Sequence, residues 1–277
     1  MSEHTSTLVA KDGTTLFYRE WSIEAPRACL HIVHGLGEHS GRYANVAQYL
    51  NAIGISVRAH DHRGHGRSEG ARGALRAPSD LLTDLKLVFD DFTRQQASLP
   101  FMLGHSLGGL VAANFVTGGH GVVRGLVLSS PALGIRMSAG QRMLLAVSSR
   151  LAPSLPIPNG LNVVALSHDP AVVAAYRADP LIHPKVTPRL VRFMLDAIND
   201  VLVHAHQCTA ATLLLVAGSD RLVAPAACRD FYQRLPDGDR VLRWYDEAYH
   251  EVFNETPELR SRVLLDLSVW LDAQIRK

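Results

Sequence analysis

An α/β fold, with a mainly parallel sheet sandwiched between helices, is predicted by three features of this sequence. Short apolar runs alternate with helix-like stretches along most of the chain, the pattern of successive strand–helix units. The 277 residues suffice for one large core or two small ones, and the composition (47% hydrophobic, 19% charged) is that of a globular protein. One interval breaks the alternation: about 80 residues separate two strand-like runs where a crossover needs only ~10–12.

Taken in order, residues 6–11 and 15–23, joined by Asp12-Gly13, read as an antiparallel hairpin at the edge of the sheet. Strand-like runs follow at 28–33, 55–59, 100–103, 125–129, 212–217 and 240–245, which brings the sheet to eight strands. Helical stretches at 42–53, 80–96, 107–116, 226–235 and 257–275 fall between or after them. The last places Leu259, Val263, Leu264, Leu267, Trp270 and Leu271 at a spacing that makes one buried face.

The long interval after Ser130 contains eight of the 14 prolines, so it cannot be one helix. Residues 143–166 carry a single charge, Arg150, and residues 188–206 show helical periodicity through Leu190, Phe193, Met194, Ala197, Ile198 and Val201. The organisation expected is a core domain from 1–133 and 208–277, interrupted by a helical cap at 134–207. The cap would lie over the C-terminal edge of the sheet, where α/β proteins place their sites. Its apolar faces can pack on the core, line a greasy pocket or meet lipid.

Several partners are excluded by composition. The net charge of +2, with basic residues scattered, offers no footprint for nucleic acid. Cys29, Cys208 and Cys228 are odd in number and far apart, which predicts free thiols. The N-terminal stretch lacks the apolar run of a signal peptide, and no segment supplies ~20 uninterrupted apolar residues. A cytoplasmic protein is expected, with the cap as the surface through which it would touch a membrane or micelle.

Chemistry enters at Gly104-His105-Ser106-Leu107-Gly108, a G-x-S-x-G pattern between an apolar run and a helical one. The glycines permit a tight strand–turn–helix bend with the serine at its tip. A serine hydroxyl needs a base to take its proton, and the base needs an acid to hold its tautomer. On this architecture the acid follows a late strand. Asp220 does so, in Gly218-Ser219-Asp220 after the run ending at Ala217. Only one histidine lies beyond it, His250. Order and position select Ser106, Asp220 and His250, with Asp230, Asp237, Asp239 and Asp246 as competing carboxylates. An oxyanion needs two donors: the backbone N–H of Leu107, and that of Leu36 in His34-Gly35-Leu36-Gly37, or else this second loop is merely tight.

The remaining histidines invite a metal reading. His60-Asp61-His62 and His65 are close in sequence, yet neither H-x-H-x-D-H nor H-E-x-x-H occurs, so a polar loop is expected there. His105 is expected to point away from the attacking serine, and His31 to be a hydrogen-bonded core residue. No metal and no cofactor are called for.

These residues resemble the monoacylglycerol lipase and lysophospholipase branch of the α/β-hydrolases, over nearly the whole chain. The resemblance is carried by His34-Gly35-Leu36-Gly37-Glu38-His39-Ser40-Gly41-Arg42-Tyr43, Asp61-His62-Arg63-Gly64-His65-Gly66-Arg67-Ser68, the elbow at Ser106 and Tyr249-His250-Glu251. Asp169-Pro170 and Tyr176-Arg177-Ala178-Asp179-Pro180-Leu181 are similar to a recurring cap segment of bacterial members. It implies an α/β-hydrolase fold and a cofactor-free serine esterase that cleaves fatty acyl esters held under the cap, monoacylglycerol above all. Lysophospholipids and short esters or thioesters are the alternatives, with perhydrolase and aminopeptidase chemistry also open to the same triad. A non-catalytic binding protein would keep the fold and lose the reactivity. Glu38 and Arg42 are expected to form a structural salt bridge, the alternative being that they order the oxyanion loop or the polar end of the pocket.

Overall fold

The computed structural model describes residues 2–135 and 137–277. An antiparallel hairpin, β1 (Ser2–Val9) and β2 (Thr15–Ser22), forms one edge of the sheet. Then come β3 (Ala28–Val33), α1 (Ala44–Ala52), β4 (Ile55–His60), α2 (Asp80–Arg94), β5 (Phe101–His105), α3 (Leu107–Thr117) and β6 (Leu126–Ser129). The insertion holds α4 (Ala139–Leu151), the two-residue strands β7 (Ile157–Pro158) and β8 (Lys185–Val186), α5 (Pro170–Ala178) and α6 (Pro188–His204). The chain closes with β9 (Thr212–Ala217), α7 (Pro225–Arg234), β10 (Arg240–Tyr245) and α8 (Pro257–Ile275). No described helix is long and apolar enough to cross a membrane.

The eight strands run in the order β1-β2-β4-β3-β5-β6-β9-β10. β2 pairs antiparallel with both β1 and β4, and every other pairing is parallel. The central strands are buried on both faces, so they read as continuous apolar runs, yet the two-residue period still sorts them. Phe101, Leu103, Val127, Leu213 and Leu215 join α1 and α8 in one core. Met102, Leu126, Leu128, Leu214 and Val216 join α2, α3, α6 and α7 in the other.

The insertion has two characters. α6 packs on α3 and sinks Leu190, Phe193, Met194, Ala197 and Val201 into the second core. α4 does the opposite: a capping box at Ser138 and Gln141 starts it, and none of its described residues is fully buried. Met143 is 70% exposed and Leu151 81%, on the face away from the protein.

Candidate active site

The elbow is built from backbone constraints. Ser106 sits between β5 and α3 at φ 52°, ψ −118°, a region that side chains avoid. The surroundings hold it there: Ser106 N–H donates to Ser129 O at 3.0 Å, while Ser106 O accepts from Leu110 and Ala132. The glycines explain themselves by distance. A Cβ on Gly104 would lie 2.4 Å from Gly108 O, and one on Gly108 would lie 2.1 Å from Val33 O. Only bare backbone lets α3 approach β3 and β5 this closely.

His250 follows β10 on a loop held by Glu255, whose carboxylate accepts from the Tyr249 N–H at 2.6 Å. Its Nδ1 lies 2.6 Å from Asp220 Oδ2, so Asp220, not its four competitors, is the partner. Asp220 Oδ1 accepts from the Leu222 and Val223 amides at 2.8 and 3.0 Å. Burial pushes this carboxyl up, but the histidine and the two amides outweigh it and hold it below the ordinary aspartate value. It is therefore ionised, with one oxygen locked by backbone and the other facing the imidazole.

Ser106, His250 and Asp220 line one cavity of about 630 Å³ together with Gly35 and Leu36. Among the described residues, neither the Leu36 nor the Leu107 amide has a hydrogen-bond partner. Ile135, Met137, Leu144, Leu145, Val191 and Met194 make one side greasy. Glu38, Tyr176, Asn159, Asn162 and Glu251 give the other side polar groups.

That polar side is organised by a buried ionic trio. Glu38 Oε1 accepts from Gly35 N–H at 2.6 Å and Tyr43 OH at 2.8 Å, and its Oε2 meets Arg42 Nη1 at 2.8 Å. The same guanidinium grips Glu251 twice, each contact at 2.6 Å, and lies 4.9 Å from the Tyr176 ring centroid. Burial, the largest single influence, would raise the Glu38 carboxyl; Arg42, His105, His34 and the Gly35 amide together bring it down to about 2. The Glu38–Arg42 pair expected from the sequence is thus present. Glu251 was not singled out by sequence reasoning, because nothing local tells which carboxylate beside a histidine will reach a distant arginine.

Two histidine expectations change. His105 does not point away: it lines the cavity, its ring centroid 4.8 Å from that of His250, and its Nδ1 lies 3.1 Å from Ser129 O. The residue beside the elbow serine is turned inward by that contact with β6. The polar loop expected at His60, His62 and His65 starts one residue later, since His60 is the last residue of β4, and all three side chains are buried. His60 Nδ1 meets His31 Nε2 at 3.0 Å, and the His62 amide donates to His34 Nε2 at 2.9 Å. His31 is the core residue expected, with no exposed surface.

Strand order, elbow and the aspartate–histidine pair define a serine hydrolase of the α/β-hydrolase fold. The family model described as "Serine aminopeptidase, S33" matches residues 24–257, and the chain belongs to that family. A monoacylglycerol lipase of Mycolicibacterium smegmatis is 37% identical over 276 residues, covering 98% of this chain and 96% of its own. The human monoglyceride lipase is 33% identical over 270 residues, covering 95% and 89%. The crystal structure of Paleococcus ferrophilus monoacylglycerol lipase superposes with a TM-score of 0.84 at 29% identity, covering 99% of this chain and all of that one.

Proposed function

We propose that this protein is a cytoplasmic serine esterase that cleaves monoacylglycerol to glycerol and a free fatty acid. The observation that carries this reading is the cavity that joins Ser106, His250, Asp220 and Leu36 to a set of apolar side chains and a set of hydroxyl-binding groups. The acyl chain lies along Leu144, Leu145, Val191 and Met194, and the glycerol faces the polar end. Ser106 Oγ attacks the ester carbon while His250 Nε2 takes its proton. Asp220 holds the imidazole through Nδ1–H and stabilises its charge. The Leu36 and Leu107 amides receive the oxyanion. On collapse the C–O bond breaks and His250 protonates the departing glycerol oxygen. Water, deprotonated by His250, then releases the fatty acid and restores Ser106.

The segment 134–207 acts as the substrate-binding cap. Its α4 lines the cavity with Gln141, Leu144, Leu145 and Ser148, while Met143, Val147, Leu151 and much of Leu144 are open to solvent. That outer apolar face, flanked by Arg142 and Arg150, is suited to transient contact with a lipid surface that supplies the substrate. Peptide cleavage is disfavoured by charge. The cavity carboxylates Glu38, Glu251 and Asp220 are all engaged by Arg42 or His250, so a peptide's ammonium terminus would find no free counter-charge. A second reading, lysophospholipase, is favoured by Arg221. It lines the cavity over the Tyr249 ring at 4.8 Å and, among the described residues, has no carboxylate partner. The test is a panel of monoacylglycerols, lysophospholipids and p-nitrophenyl esters of graded length. Fast turnover of monoacylglycerol is expected; turnover of short esters alone would replace the lipase reading with a general esterase.

A further inference from the structure

We propose that Arg42 is a positioning residue that joins the oxyanion loop to the histidine loop, gripping Glu38 on one side and Glu251 on the other. The proposal rests on the serine acyl-transfer part of the reading above and not on its substrate.

Arg42 makes no hydrogen bond to Ser106 or His250 among the described contacts; it acts one residue away from each half of the machinery. On the first side, Glu38 accepts from the Gly35 N–H at 2.6 Å, and Gly35 immediately precedes Leu36, with which it lines the cavity. Gly35 also packs against the nucleophile, since a Cβ built there would lie 3.2 Å from Ser106 Cβ. On the second side, Glu251 follows His250 directly and is held twice by the guanidinium at 2.6 Å. One nitrogen, Nη1, serves both carboxylates. The Glu251 N–H donates to Leu166 O of the insertion at 2.8 Å, so the same bridge also meets the cavity wall.

Packing alone does not account for this arrangement. Three charges with about a tenth or less of each side chain exposed carry a desolvation cost that apolar residues of like volume would not. A bidentate guanidinium supplies what apolar packing lacks, a fixed distance and angle between two loops far apart in sequence. Acyl transfer is sensitive to such spacing, because a displacement of about 1 Å can cost about 100-fold in rate.

The experiment is a mutant cycle on p-nitrophenyl butyrate, which reads acyl transfer independently of the lipid substrate. Glu38→Gln and Glu251→Gln should each lower kcat about tenfold while KM moves by less than about twofold, the mark of lost transition-state alignment. Because either change loosens the same bridge, the double variant should lose far less than the product of the two. In an Arg42→Met background neither substitution should lower kcat further, and Arg42→Lys should recover part of the rate. Multiplying effects, or undiminished losses without Arg42, would overturn the proposal. Circular dichroism checks folding, and if Arg42→Met does not fold, the two-carboxylate cycle in the presence of Arg42 decides alone. Failure of monoacylglycerol turnover with p-nitrophenyl butyrate turnover intact would overturn the substrate reading and leave this one standing.

Discussion

Ser106 and the groups behind it set what a single substitution does. Ser106→Ala removes the hydroxyl proposed as nucleophile but no hydrogen bond that holds the elbow, since those run through the backbone. Its kcat on p-nitrophenyl butyrate should fall by about 10⁵-fold or more, with the thermal midpoint kept. Retained turnover would rule out the serine mechanism. Gly108→Ala should do the reverse of a clean knockout. Its methyl would meet the Val33 carbonyl, a backbone atom that cannot step aside, so a loss of about 2–4 kcal/mol of stability is expected in urea titration, together with activity. The elbow at Ser106 and the pairing of Asp220 with His250 were readable from order and position alone. Glu251 and the inward turn of His105 were not, because both depend on contacts between segments remote in sequence.

At the scale of elements, the insertion separates into a helix that belongs to the core and one that does not. Phe193→Ala on α6 should cost about 3–5 kcal/mol, the price of a cavity in a packed cluster, measured by chemical denaturation. Met143→Glu with Leu151→Glu on α4 should leave stability within about 0.5 kcal/mol. The same pair should slow hydrolysis of monoacylglycerol in vesicles severalfold while p-nitrophenyl butyrate turnover holds; equal rates in vesicles would remove the lipid-contact role. Sequence could not separate these helices, since both show an apolar stripe and periodicity does not say whether the stripe meets protein, substrate or lipid. Where burial is two-sided the reading was sharper. The runs at 28–33 and 212–217 match β3 and β9 to the residue. The hairpin was less clear at its open end: β1 begins at Ser2, where polar residues pair with β2 at the sheet's edge and show no apolar signal.

For the whole molecule, the buried histidines dictate an acid limit. Burial brings His31 and His62 down to about 3 and His34, His105 and His183 to about 4, and pushes His60 and His65 down as well. All stay neutral in the folded protein at a pH where the unfolded chain already takes up protons. Stability is therefore complete above pH ~6.5 and falls as pH drops toward 4, each histidine adding a slope of about 1.4 kcal/mol per pH unit. Glu38, held at about 2, acts with the same sign in a lower window: its contribution is intact above the ordinary glutamate value and is lost as pH falls from there toward 2. The thermal midpoint should thus be level from pH 7 to 8 and decline steeply between 6 and 4.5. A flat midpoint over that acid range would show that these rings are hydrated or already charged.

The φ of 52° at Ser106 has one more consequence, for anyone who would make this protein hardier. Glycine is the residue that occupies that backbone geometry without strain. A variant library ranked only by heat resistance will therefore reward Ser106→Gly, a tougher molecule with no chemistry left in it. Selection for durability has to be coupled to a turnover assay from the first round, because at this position the two goals pull in opposite directions.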